Sequence, residues 1–178
     1  QDRVITIRGL GTLGTACGIA LKRLGFNVRG WSRREKRVDG ILCFYGDEQI
    51  DSSLMDADIV VLLLPDTPLT QNILNQHTLN LLKRGAFVLN PGRGPLIDDD
   101  ALLAALDSGQ IEHATLDVFR IEPLPQNHQY WSNNKVTVIP HKASETRPKT
   151  ASQVISMNIE KAENGEELLY LVDRENGY

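Results

Sequence analysis

The sequence predicts an α/β fold: a doubly wound, mostly parallel sheet with helices on both faces. Three observations carry that prediction. Short runs rich in β-branched residues, such as "VITI" and "DIVVLLL", alternate with helical patterns almost from end to end. These strands are apolar throughout rather than every second residue, as strands buried on both faces are. The connections between strands hold helices, which parallel neighbours require.

The elements follow in order. "VITI" (Val4–Ile7) is the first strand, and glycines follow it at once. From Thr12 the pattern turns helical: Leu13, Ala16, Cys17, Ala20, Leu21 and Leu24 recur at steps of three and four, and Gly25 stops the helix. "NVRGW" is the second strand, Cys43 marks a short apolar one, and a helix is expected near Gln49–Met55. After "DIVVLLL", the stretch "LTQNILNQHTLNLLKRG" reads as one helix ending at Gly85. Strand "AFVLN" and helix "DDDALLAALDSG" come next. Asp98 to Asp100 suit that helix's N-terminal dipole and Gly109 its end. Strand "IEHATLDV", a loop rich in Pro and Gln, strand "KVTVIP" and a helix over about Arg147–Gly165 complete the chain.

Composition narrows the function. At 178 residues, 41% hydrophobic and 24% charged, the chain can bury a core without disulfides or a structural metal. A formal net charge of −4 argues against a nucleic-acid partner. No apolar run reaches the roughly 18 residues a membrane helix needs. Cys17 and Cys43 lack metal-ligand spacing and read as two buried, unpaired thiols, suited to a reducing cytoplasm. The opening "QDRVITI" has neither an initiator Met nor a signal pattern, and we expect a longer chain to precede it.

"GLGTLG" places Gly9, Gly11 and Gly14 in the G-x-G-x-x-G spacing, after a strand and at the start of a helix. In that context Gly9 allows the tight turn and Gly11 the approach of a pyrophosphate. Gly14 lets the helix pack on the sheet, with its N-terminus facing the phosphates. The turn implies a Rossmann-like dinucleotide site. Thr15 and Ala16 stand where a nucleotide triphosphate loop needs Lys and Ser or Thr, which excludes that alternative.

The second strand runs into "WSRREKR", a basic cluster in an acidic chain. An NAD site usually has Asp or Glu there to bind the adenosine ribose. This chain has Trp31, then Ser32, Arg33 and Arg34, a hydroxyl and two guanidinium groups that suit a 2′-phosphate. The cofactor expected is therefore NADP, with NADPH preferred over NADH. Lys36 and Arg37 read as a solvated basic loop.

Ligands of such sheets lie beyond the carboxyl ends of the strands. Three later strands end in Arg93, in Asp117 with Glu122, and in His141. Reduction of a carbonyl calls for these groups together: a cation on the substrate, an imidazolium to protonate the alkoxide, and a carboxylate to orient and charge the imidazole. His77, His113 and His128 read as structural or surface residues, and no metal site is expected.

The motifs "GLGTLG", "LLLPDTPLT", "LNPGRG", "LDVFRIEPLP" and "VTVIPH", in this order, resemble the D-isomer-specific 2-hydroxyacid dehydrogenases. "WSRR", "DDDALLAALDSG", "TRP" and "VDRENGY" look closest to the glyoxylate/hydroxypyruvate reductase branch. The resemblance implies that Arg93 binds substrate, that His141 is the acid/base, and that Glu122 is its partner. It further implies that Thr12, Leu13, Leu64, Pro65, Thr70, Asn90, Pro91, Gly92 and Asp117 line the dinucleotide site. It makes residues 1–178 the NAD(P)-binding domain alone, with an authentic C-terminus and no counterpart of the family's N-terminal substrate domain. A small 2-ketoacid or 2-hydroxyacid substrate and a homodimer follow from the same resemblance. Pro91, Gly92, Lys142 and Ser144 depart from the usual pattern beside Arg93 and His141.

Two other classes fit the residues less well. A non-catalytic dinucleotide sensor, as among the family's corepressor relatives, would have no need of Arg93, Glu122 and His141 together. A short-chain reductase needs Lys four positions after Tyr. Gln49, Asn134 and Arg174 stand four after Tyr45, Tyr130 and Tyr170, and Tyr178 ends the chain.

Overall fold

The computed structural model describes residues 2–174. They form two compact units, Gln1–His141 and Lys142–Tyr178. The first contains seven strands: β1 (Val4–Arg8), β2 (Asn27–Ser32), β3 (Leu42–Tyr45), β4 (Ile59–Leu62), β5 (Ala86–Asn90), β6 (Ile111–Leu116) and β7 (Val136–Val138). All pair in parallel, in the order β3-β2-β1-β4-β5-β6-β7. The order reverses between β1 and β4, which opens a crevice above their carboxyl ends. The same order sets β5, β6 and β7 side by side, so residues following these three strands meet on one edge.

Helices α1 (Thr12–Arg23), α2 (Ile50–Leu54), α3 (Gln76–Asn80) and α4 (Asp99–Asp107) connect the strands. One core cluster gathers Leu62, Val88, Leu96, Leu102, Leu106 and Ala114. A smaller one joins Ile7, Leu10, Val28 and Ile41 beneath α1. Helix α1 meets the sheet through glycines. A Cβ on Gly14 would stand 1.8 Å from the Gly9 carbonyl oxygen, and one on Gly18 would stand 2.7 Å from Ile41 Cδ1. Of the expected apolar stripe, Cys17 and Leu21 pack against the smaller cluster, whereas Leu13 and Leu24 are 54% and 63% exposed. Close backbone contact at the glycines, together with Cys17 and Leu21, seats the helix.

The helix expected over residues 69–85 is largely absent, and only α3 forms. Leu74 pairs with Ile97 as an isolated parallel bridge, and its N–H donates to the Leu96 carbonyl. Asn72 takes a positive φ of 52°. The chain becomes helical only at Asn75, whose side chain accepts from the Thr78 amide while the Thr78 hydroxyl accepts from the Asn75 amide. That capping box starts a new helix where the apolar pattern alone suggested continuation. Cys17 and Cys43 are half-buried and free rather than fully buried.

In the second unit, α5 (Pro148–Glu163) begins after an Arg147 cap. The Asn158 side chain holds the returning chain at Leu169 through both its amide nitrogen and its oxygen. The "VDRENGY" motif lies outside the described residues beyond Arg174. Among the described residues, no helix is long and apolar enough to cross a membrane.

Candidate active site

The glycine turn occupies the crevice between β1 and β4. Gly9 has φ +114°, and a Cβ there would stand 2.5 Å from the Leu63 carbonyl oxygen. Only glycine fits both the conformation and the approach. The amides of Gly9 and Leu10 donate to the Trp31 carbonyl, tying the turn to β2. A Cβ on Gly11 would meet nothing within 4 Å, so this position faces open space. No side chain caps α1 and no acidic residue lies in its first turn. Its first amides, from Thr12 onward, are thus free of a side-chain acceptor, and Thr12 and Leu13 are exposed beside Gly11. An anionic pyrophosphate fits such an uncapped helix start.

The basic segment begins where β2 ends. Ser32 is buried and its hydroxyl donates to the Arg34 carbonyl at 2.8 Å, curling the chain so that Arg33 and Arg34 follow immediately. Trp31 is buried, with its indole N–H on the Gly46 carbonyl, so its side chain is scaffold and its carbonyl serves the glycine turn. Arg37 fits the solvated-loop expectation, with its side chain 92% exposed and 3.4 Å from Glu35. Lys36 does not. Its ammonium donates to the Leu10 carbonyl at 2.5 Å, across the mouth of the glycine turn. No local signal announces that contact, because it joins two loops 26 residues apart.

Leu64, Pro65 and Thr70 lie half-buried on the loop after β4. The Thr70 hydroxyl donates to the Pro65 carbonyl at 2.7 Å and accepts from the Thr67 amide at 2.9 Å, which closes this loop on itself.

Arg93, Glu122 and His141 come from the ends of β5, β6 and β7. Asn90 shapes the first of these turns, its amide donating to the Arg93 carbonyl and its oxygen accepting from the Gly92 amide. Gly92 is required, since a Cβ there would stand 2.8 Å from the Leu62 carbonyl oxygen. Pro91 is half-buried beside it. Gly94 approaches the next loop more closely still: its Cβ would lie 1.9 Å from the Phe119 carbonyl carbon. The turn that presents Arg93 therefore presses against the loop that carries Glu122. The Arg93 side chain is exposed, with one Nη1 contact to the Gly92 carbonyl at 2.6 Å.

Asp117 is buried, its amide on the Asn90 carbonyl and its carbonyl accepting from the His141 amide at 2.8 Å. His141 has φ 50°, a left-handed conformation that costs a non-glycine residue on the order of 1 kcal/mol. The ring it presents places Nδ1 2.8 Å from Glu122 Oε2. Glu122 Oε1 accepts from the Phe119 amide at 2.9 Å. Partial burial pushes the Glu122 carboxyl up, but the Phe119 amide, the His141 hydrogen bond and charge, and the Arg93 charge outweigh it. The net effect holds Glu122 below its ordinary value and keeps it ionised. Lys142 and Ser144 are exposed.

Arg120, which the sequence did not single out, ties this loop down. Its guanidinium bonds Asn72 and the Ile97 carbonyl and pairs with Asp99 at 3.4 Å. Asp99 in turn accepts from the buried Tyr130 hydroxyl at 2.8 Å. Burial first, and the Asp99 charge after it, push the Tyr130 phenol well up, so it stays protonated as the donor.

A parallel sheet whose order reverses at a glycine cradle, with a hydrogen-bonded His and Glu on neighbouring strand ends, marks a dinucleotide-binding domain. Residues 1–143 match the D-isomer specific 2-hydroxyacid dehydrogenase, NAD binding domain. The chain belongs to that family. It is 41% identical over 174 residues to glyoxylate/hydroxypyruvate reductase A of Yersinia enterocolitica, covering 98% of this chain and 56% of the relative. The chain thus spans little more than half of that relative. A D-isomer specific 2-hydroxyacid dehydrogenase from Xanthobacter autotrophicus, solved with NADPH and MES, superposes with a TM-score of 0.96 at 46% identity, over 99% of this chain and 73% of that one. An NADPH-dependent glyoxylate/hydroxypyruvate reductase from Sinorhizobium meliloti, solved with NADP and sulfate, gives 0.95 at 34% identity, over 99% and 57%.

Proposed function

We propose that this chain is the NADP-binding domain of a reductase that converts a small 2-ketoacid, glyoxylate or hydroxypyruvate, to the 2-hydroxyacid. The observation that carries the reading is the 2.8 Å contact between His141 Nδ1 and an ionised Glu122, beside Arg93. The relatives solved with NADPH or NADP support the cofactor, and the reductase names support the substrate class.

The residues present fit the cofactor. The open face of Gly11 and the uncapped start of α1 would hold the pyrophosphate, with Ser32, Arg33 and Arg34 at the 2′-phosphate. NADPH, when bound, supplies the hydride. This chain's residues do the rest. With Nδ1 turned to Glu122, His141 keeps Nε2 for the substrate and delivers its proton to the carbonyl oxygen as that oxygen becomes an alkoxide. Glu122 stabilises the charged ring and fixes its orientation. Arg93 grips the substrate carboxylate by its planar fork.

The reading includes a separate substrate domain outside these 178 residues, a homodimer as in the family, and a cytoplasmic setting suited to two free thiols. The test is NADPH oxidation by the complete polypeptide with glyoxylate and with hydroxypyruvate. Oxidation that needs the ketoacid, and that His141→Ala abolishes, supports the reading. Tight dinucleotide binding with no turnover of either acid favours the non-catalytic sensor instead.

A further inference from the structure

Arg8 ends β1 and immediately precedes Gly9, at the switch point of the sheet. It is 1% exposed, and its Nε, Nη1 and Nη2 atoms are all buried with no hydrogen-bond partner among the described residues. Its guanidinium carbon lies 4.4 Å over the Trp31 ring, with which it shares a register position and a face of the sheet. Asp51 acts on it only through its field, and that carboxylate is bonded to His77 at 2.9 Å near the surface. A buried guanidinium without hydrogen bonds is costly, and a stacked ring recovers only part of the cost. Packing gives no reason for it, since Leu62, its register partner on β4, is fully buried and apolar.

What distinguishes the position is its neighbours. Gly9 and Leu10 hang from the Trp31 carbonyl, and Ser32 with Arg33 follows Trp31 directly. The charge therefore lies beneath the junction of the phosphate turn and the basic segment. Charge of one sign behind low-dielectric walls acts over longer range than the same charge in water.

We infer that Arg8 is a specificity-determining residue, a buried cation whose field favours the dinucleotide bearing a 2′-phosphate. The inference rests on the NADP reading above and adds a determinant that touches no ligand. Stability is given up for affinity, and that trade separates a field effect from a structural one.

The test uses the purified chain and its Arg8→Met and Arg8→Gln variants, titrated calorimetrically with NADPH and NADH and melted without ligand. Arg8→Met should raise the Tm by about 2–4 °C, because an apolar side chain replaces an unpaired charge. Arg8→Gln should melt below Arg8→Met, since its amide is buried without a partner. Both variants should bind NADPH on the order of tenfold more weakly, as expected for charges about 10 Å apart at an effective dielectric near 20. The NADH loss should be at least about threefold smaller than the NADPH loss, because its pyrophosphate feels the same field while its ribose lacks the added charge. Equal losses for the two cofactors, or losses that follow Tm rather than charge, overturn the inference. A lowered Tm in Arg8→Met with unchanged affinities makes Arg8 structural. If the unmutated chain itself shows no preference for NADPH, the NADP reading falls as well. If that preference is intact and survives in both variants, only the role of Arg8 falls.

Discussion

His141 Nδ1 stands 2.8 Å from Glu122 Oε2, while the backbone amide of His141 is held by the Asp117 carbonyl at the same distance. Ring and backbone are therefore both referenced to the loop after β6. The Glu122 carboxyl is held below its ordinary value, so the carboxylate charge is complete at neutral pH. Its stabilising effect on the fold is present above the unfolded value and is lost as pH falls through the lower folded one. In the complete enzyme, Glu122→Gln keeps the shape but removes the charge. The unmutated reduction rate should show an acid limb, falling as pH drops through the lowered Glu122 value, and Glu122→Gln should lack that limb. An acid limb unchanged in Glu122→Gln would show that the Glu122 charge does not serve the reaction.

Cofactor choice should reside first in Ser32 and Arg33. A good charge-assisted contact is worth roughly 1.5–3 kcal/mol, which is about ten- to a hundredfold in affinity. Arg33→Ser should erase most of the preference for NADPH. Ser32→Asp should reverse it, since the hydroxyl that now bonds the Arg34 carbonyl would become a carboxylate facing the ribose. Fluorescence titration decides the matter, and equal affinities in the unmutated chain would count against both roles.

The purified chain should bind NADPH yet reduce glyoxylate very slowly or not at all. Arg93 and His141 are exposed, so within this chain the groups proposed to act on the substrate stand open to water. Near-attack geometry and a dry site need a second wall. Substantial turnover by the 178-residue chain would mean that one domain completes the pocket.

Much of this arrangement is readable in the sequence because its causes are local. The run of strand, glycine turn and helix at Val4–Arg23 carries its own chemistry. The strand ends bearing Arg93, Glu122 and His141 follow from parallel topology. Where reading fails, a long-range partner decides. Leu74 looks helical by spacing but pairs with Ile97. Lys36 looks solvated but reaches Leu10. The clamp from Arg120 to Asp99 and Tyr130 joins segments that no periodicity connects. The left-handed backbone of His141 is likewise set by its bond to Asp117 rather than by its own type.

Two glycines of the first turn should separate stability from binding. Gly11 has φ −70°, which any residue adopts, and a Cβ there meets no protein atom within 4 Å. Gly11→Ala should change stability by no more than about 0.5 kcal/mol, the usual range for an open surface position. The added methyl would instead stand where the pyrophosphate must approach, and NADPH affinity should fall about tenfold or more, a loss above roughly 1.4 kcal/mol. Gly14→Ala inverts the pattern. Its Cβ would lie 1.8 Å from the Gly9 carbonyl oxygen, a backbone atom that cannot turn aside, so helix and strand must part. Overpacking of this kind costs about 1–3 kcal/mol or more. Gly14→Ala should therefore melt several degrees lower, or fail to fold, before cofactor is added. Thermal melts with and without NADPH distinguish the two. A destabilised Gly11→Ala, or a Gly14→Ala as stable as the unmutated chain, would contradict the packing that assigns these glycines different roles.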